Sequence, residues 1–276
     1  MAWSILPVMD GLAKYLSADL HYLEVVWGRY IFMVLISVPI TYIFFKKHLG
    51  WPKNLNIQFL RSTFLFLSTV LFFYAISILP LADSLTLMFV SPIIVTLLAA
   101  IILKEKVDIR RWIAVFVGFI GALIIIRPGF SEFNPASLAA IGAGFSYALY
   151  IISTRKLSTI DHPLLTLIFT GLSSAILISI IVPFVWITPT FNQWVLLIGL
   201  ATAGTIGHFF LILSFMYAEA SKLAPFAYFE IVTNIIIGYY FFGDFPDFWI
   251  WIGLFIIISS GLYISFRENI KLKINL

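Results

Sequence analysis

The stretch Ala82 to Leu103, ADSLTLMFVSPIIVTLLAAIIL, with the KEKVD that follows it at Lys104 to Asp108, decides how this chain is read. An apolar run of roughly 18 residues or more with few charges is long enough to cross bilayer hydrocarbon about 30 Å thick as one helix. Basic residues at its end mark the cytoplasmic side. Runs of the same kind tile the 276 residues: 62% are hydrophobic, 17% aromatic and only 11% charged, against about 25% charged in a soluble domain. The mean hydropathy is +1.06. These figures exclude a soluble globular protein and predict an all-α polytopic membrane protein, with the lipid bilayer as the solvent of most side chains. They leave no room for a soluble catalytic domain or a long disordered tail, so function must sit inside the helix bundle. The net charge of +4 follows from loop topology, and no nucleic acid partner is expected. With Cys 0 there is no disulfide framework and no thiolate chemistry. The N-terminus lacks a signal-peptide pattern, so Met1 is expected to start the mature chain.

Outward from that stretch, turn and charge signals predict ten spans. They are Ala2 to Leu16, Leu23 to Phe45, Leu60 to Leu79, Ala82 to Leu103, Trp112 to Ile126, Ala136 to Ser153, Leu164 to Trp186, Trp194 to Tyr217, Leu223 to Phe242 and Phe248 to Phe266. The first is short for a bilayer, so it is either tilted and covered by neighbours or cut short at its start. Most of the 17 Lys and Arg fall in alternate loops, from Lys46, Lys47, Lys53 and Arg61 to Arg267, Lys271 and Lys273. That asymmetry puts both termini in the cytoplasm. The span ending at Leu103 before Lys104 to Asp108 has a counterpart ending at Phe242 before Gly243 to Asp247, and Gly121 and Arg127 fall opposite Gly261 and Arg267. The offset of about 140 residues is half the chain. Five spans per half is an odd number, so the halves, 1–130 and 131–276, must enter the membrane in opposite orientations. Two inverted-topology five-helix repeats with a binding site near the midplane are the plan of secondary transporters. Gly118 and Gly121, Ala140 and Gly144, and the Gly199, Ala203, Gly207 ladder are read as helix-packing contacts.

A charge in mid-membrane costs about 2.5–3.5 kcal/mol on insertion scales, so each needs a partner, a cavity or a use. Glu230 is the sharpest case: it falls in the middle third of its span with no basic residue within a turn. Its partner must be another helix, a proton or a cationic substrate. His208 lies mid-span, able to relay protons, bind ligand or serve as an interhelical donor. Arg29 is either a snorkelling residue or an inward anion clamp able to partner Asp10 or Glu230. Asp10 and Lys14 share one face of the first span and are placed, with Asp83, at an outer gate. Tyr147 and Tyr150 with Ser146, Tyr228 and Asn234 beside Glu230, and Trp27 beside Arg29 complete the expected pocket, whose rings suit a cation or a planar ring system. The remaining histidines, His21, His48 and His162, fall at loops without metal-ligand spacing, so no metal is expected. Trp186, Trp249 and Trp251 read as interface belts.

These landmarks carry a resemblance. DGLAKY at Asp10 to Tyr15, Arg29, LPLADS at Leu79 to Ser84 with Pro92, KEKVDIRRW from Lys104, GFIGALIIIRPG from Gly118, APFAYFE from Ala224 and FGDFPD from Phe242 resemble the drug/metabolite transporter superfamily, of the EamA type. They span nearly the whole chain. The resemblance implies alternating access, a substrate cavity between halves and no prosthetic group. Within the family the chain is most similar to bacterial S-adenosylmethionine uptake transporters and somewhat less to riboflavin transporters. Both tend to have a basic residue where this chain has Ala227, a departure that favours a cationic or zwitterionic solute. The expectation is a carrier of a small amine-bearing metabolite in the bacterial inner membrane, without a cofactor, with proton or solute-gradient coupling and a homodimer left open. The rivals are a riboflavin-like transporter, an intramembrane enzyme, for which no GxSxG, HExxH or P-loop is found, and a membrane scaffold.

Overall fold

The computed structural model describes residues 1–48, 50–79, 81–126, 135–237, 240, 248–249, 251–253, 255–260 and 262–263. Side chains of His48, Ala82, Asp83, Thr86, Ala122, Ile125, Ile126 and Ile235 lie outside the description. So do the repeat landmarks Arg127, Gly243 to Asp247, Gly261 and Arg267.

In the first half the helices are α1 (Ala2–Leu16), α2 (Tyr22–Phe44), α3 (Leu55–Ile78), α4 (Leu81–Met88), α5 (Ser91–Ile102) and α6 (Ile109–Ile126). In the second they are α7 (Pro135–Leu157), α8 (Pro163–Ile181), α9 (Phe191–Tyr217), α10 (Ala220–Leu223) and α11 (Phe229–Ile237), the last two joined by a 3-10 turn at Ala224–Tyr228. Residues 251–253 and 255–260 are helical again. Among the described residues five helices are long and apolar enough to cross a membrane: Tyr22–Phe44, Leu55–Ile78, Pro135–Leu157, Pro163–Phe184 and Phe191–Tyr217. Outward faces remain apolar, as with Ile113, Phe116 and Ile120 on α6 and Ile176 and Ile180 on α8. Such exposed stripes are what lipid, rather than water, requires.

Three features differ from the sequence expectation. The span Ala82 to Leu103 is two helices, interrupted at Phe89 and Val90, because Pro92 has no N–H to give an upstream carbonyl and suits the first turn of a new helix. The ninth span is interrupted likewise before Phe229, with Pro225 in the first turn of the 3-10 segment. Arg61, expected in a loop, lies inside α3 because that helix starts at Leu55 rather than Leu60; its side chain is wholly buried.

The halves interlock by exchange. α1 of the first half runs along α9 of the second, α7 of the second along α3 of the first, and α2 meets α8. Swapping the halves maps each pair onto another pair or onto itself, as a pseudo-two-fold axis demands. Equivalent caps reinforce it. His21 and His162, about 140 residues apart, are the N-caps of α2 and α8, each accepting from the N–H two residues on at 3.3 Å. Both were expected as plain loop residues. Lys14, at the end of α1, donates to the carbonyls of Ile76 and Leu79 at the end of α3. Arg155, at the end of α7, donates to the carbonyl of Phe215 near the end of α9. A cation on terminal carbonyls satisfies orphan acceptors and the negative end of the helix dipole. The glycines act in packing: a Cβ on Gly207 would meet Leu6 at 2.7 Å, and one on Gly144 the Met88 carbonyl at 2.6 Å.

Candidate functional site

Where α1, α2, α3, α7, α9 and α11 converge, a cavity of about 40 Å³ is lined by Met9, Asp10, Arg29, Ser68, Thr69, Phe72, Met88, Tyr147, His208 and Glu230, with Leu6 and Leu65. Its walls come from both halves. A water fills roughly 10–15 Å³ of such space, so the cavity admits a few waters and no metabolite.

Each polar group in the cavity arrives by a local device. Glu230 is the second residue of α11, directly after the 3-10 turn, so it stands at the N-terminus of a half-helix rather than in the middle of a long one. Asp10, buried on α1, hydrogen-bonds the Glu230 side chain and feels the Arg29 guanidinium. Two carboxyl groups can share a hydrogen bond only if one holds a proton. The pair with Arg29 is then one acid, one carboxylate and one cation, neutral overall. Asp10, expected at the outer gate beside Lys14, thus stands in the cavity instead. The two part company because Lys14 lies a turn further on and spends its charge on the α3 carbonyls.

Arg29 faces inward. Its Nη1 donates to Thr69 Oγ1 at 2.8 Å and its Nη2 to His208 Nε2 at 2.7 Å. Arginine only donates, so the imidazole accepts at Nε2, carries its proton on Nδ1 and is neutral. Nδ1 lies 3.2 Å from Tyr150 Oη and can donate to it. Tyr150 Oη in turn receives Arg61 Nη2 at 3.4 Å, and its ring lies 4.8 Å under the Arg61 guanidinium. Arg61 also donates to Thr154 Oγ1 at 2.8 Å, Thr170 Oγ1 at 2.6 Å and the Thr166 carbonyl at 3.3 Å, stitching α3 to α7 and α8. Arg61 escapes a reading of the sequence because, two residues into its expected span and near Lys46, Lys47 and Lys53, it counts with the loop charges. A start signal was present in Asn54, whose side chain caps α3 at the Ile57 N–H.

The other expected residues divide. Tyr147 lines the cavity and stacks on Tyr150, ring centres 5.7 Å apart. Asn234 donates from Nδ2 to the Glu230 carbonyl at 3.0 Å, one turn back on its own helix. Tyr228 is fully buried and donates to the Val115 carbonyl at 3.2 Å, with its ring 5.7 Å from Phe89. Ser146 is buried on α7 off the cavity. Trp27 donates to Ser179 Oγ at 3.1 Å and sits edge-on to Trp186, 5.1 Å away, outside the cavity. The Asp83 side chain is among those not described. Leu6, Met9, Ser68, Thr69, Phe72 and Met88 line the cavity without any signal in the sequence to set them apart. Among the described residues no three His, Asp or Glu converge as a metal set.

A second, smaller cavity of about 10 Å³ adjoins the first and shares Tyr147 with it. Beside it, Glu105 accepts from the N–H groups of Ala220 and Ser221, both at 3.0 Å, and from Ser221 Oγ at 2.7 Å, and pairs with Arg155 at 3.6 Å. Arg111 pairs with Glu219 at 3.0 Å. These contacts tie the α5–α6 loop of one half to α10 of the other, closing that end of the bundle.

This geometry belongs to a known group. The EamA-like transporter family model matches residues 1–127 and again residues 134–266. An S-adenosylmethionine uptake transporter of Rickettsia prowazekii is 30% identical over 98% of this chain and 93% of its own. A riboflavin transporter of Vibrio cholerae is 29% identical over 96% of this chain and 90% of its own. A pseudopaline exporter of Pseudomonas aeruginosa is 29% identical, covering 87% of this chain and 84% of its own. A crystal structure with a TM-score of 0.79 covers 98% of this chain at 14% identity and shares its fold. Two matches to one family model, in the two halves that the helix exchange relates, make this all-α multi-pass membrane protein a member of the EamA-like transporter family.

Proposed function

We propose that the chain is a secondary carrier that moves a small amine-bearing metabolite, such as S-adenosylmethionine or an amino-acid-like solute, across the bacterial inner membrane by alternating access. The observation that carries this reading is the set Asp10, Arg29 and Glu230 around one cavity walled by both halves. The carboxylate of the Asp10–Glu230 pair suits an ammonium or sulfonium, and the guanidinium suits a carboxylate. A cavity on a pseudo-two-fold axis opens to either side by rocking one half on the other, the usual route of inverted-repeat carriers. Both termini lie in the cytoplasm in this reading, the repeats divide near residue 130, and Glu230 is the counter-ion or proton site. Asp10, now beside Glu230, is its partner rather than a gate residue. The names of the relatives support a metabolite as cargo, and both uptake and export occur among them.

The test is uptake into proteoliposomes with and without a pH gradient. Glu230→Gln abolishes gradient-driven accumulation of S-adenosylmethionine and leaves part of the binding or exchange. Unchanged accumulation in that variant removes the assignment. A riboflavin-like cargo is the second reading, favoured by the stacked Tyr147 and Tyr150 rings; riboflavin uptake that is indifferent to Glu230→Gln would establish it in place of the first.

A further inference from the structure

The second cavity differs from the first in chemistry. Pro92, Val95, Ile151, Phe215, Ala224 and Ala227 line it, so it is apolar where its neighbour is charged. One group is out of place. Trp3, also on its wall, has its Nε1–H buried with no acceptor. A buried indole N–H normally finds a partner, and leaving one without costs about 1–3 kcal/mol. Such an orphan needs an explanation in a missing acceptor. The space itself depends on Ala224 and Ala227, since a longer side chain at either would occupy it. Tyr147 borders both cavities, so a ligand in one continues past its ring into the other.

We propose that the second cavity is a subsite for a nitrogen-containing aromatic ring, and that the cargo is a two-part solute. Its zwitterionic head lies among Asp10, Arg29 and Glu230, and its heteroaromatic ring lies between Tyr147 and Phe215, where a ring nitrogen accepts from Trp3 Nε1–H. The ring's faces meet apolar and aromatic walls and its edge meets the Trp3 donor, which favours a heteroaromatic ring over a purely aliphatic tail. The subsite rests on the proposed reading of the polar cavity for its second half only. Both spaces are water-sized here, so the ring enters as α1 and the α10 end part.

Binding of S-adenosylmethionine, adenosine and methionine to the purified full chain in nanodiscs tests this. Trp3→Phe keeps an aromatic ring and removes the N–H; S-adenosylmethionine and adenosine weaken about 2- to 10-fold while methionine is unchanged. Ala227→Phe fills the space and weakens the two nucleoside probes about 10-fold or more, again sparing methionine. Methionine binding reports that both variants are folded. Equal loss of all three probes, no change with adenosine, or no binding of either nucleoside by the unaltered protein overturns the subsite. Glu230→Gln separates the two readings: it weakens methionine and S-adenosylmethionine but spares adenosine. If it alters nothing while Trp3→Phe acts as stated, the acid's role falls and the subsite stands.

Discussion

The two interrupted helices, one in each half, use the same backbone device to opposite ends. α4 stops at Met88 and α5 begins at Ser91; the 3-10 turn stops at Tyr228 and α11 begins at Phe229. At the repeat offset of about 140 residues, Phe89 stands opposite Tyr228 and Ser91 opposite Glu230. The first pair meets in space, ring centres 5.7 Å apart, as residues near a pseudo-two-fold axis should. The second pair does not share a site. Glu230 lines the charged cavity and Ser91 the apolar one. The repeat thus preserves where the chain breaks and leaves free what stands at the break, so that one symmetrical frame holds an asymmetric site.

That comparison can be broken most severely by moving the charge. Exchanging the pair, Ser91→Glu with Glu230→Ser, places a carboxyl among apolar walls at a cost of about 2.5–3.5 kcal/mol on insertion scales and takes it from Arg29. Transport in proteoliposomes is expected to vanish, and retained transport would make the two breaks interchangeable. Arg61 comes next, because it ties α3 of one half to α7 and α8 of the other. Arg61→Met removes its bonds to Thr154, Thr170 and Tyr150 and is expected to cost about 2–4 kcal/mol, seen as a lower Tm in detergent. Gly118→Ala tests the axis itself. The new Cβ would meet the Tyr228 ring at 2.5 Å, and such overpacking costs about 1–3 kcal/mol. The smallest effect sharpens the comparison: Lys14→Met and Arg155→Met each lose a cation from equivalent helix ends. Lys14→Met should cost about 0.3–1 kcal/mol in thermal unfolding, and Arg155→Met more, because it also leaves Glu105 without its cation. A much larger loss at Lys14 would show that it does more than cap α3.

Legibility followed the range of the interactions. α1 is read to the residue, Ala2–Leu16, because its limits rest on local apolar pattern and a turn. Pro92 announced a break that the unbroken hydropathy of its span concealed, since hydropathy counts apolar residues and is blind to a missing N–H. Lys14 and Asp10 share a helix face in sequence, yet one caps carbonyls on α3 and the other meets an acid on α11; which neighbour each finds depends on helices far away in the chain. His208 is similar. Its oddity in an apolar span was visible, while its tautomer follows only from Arg29 on α2.

The sequence by itself determined that this chain lives in lipid, that it repeats, and that charges within it need a reason, because hydropathy, period and insertion cost are properties of local composition. The tertiary structure alone decided which charges share a cavity, that Asp10 meets Glu230, that Arg61 is interior, and that an apolar space lies beyond Tyr147. Those facts arise from helices distant in sequence crossing at a few ångströms, and no local pattern encodes the crossing.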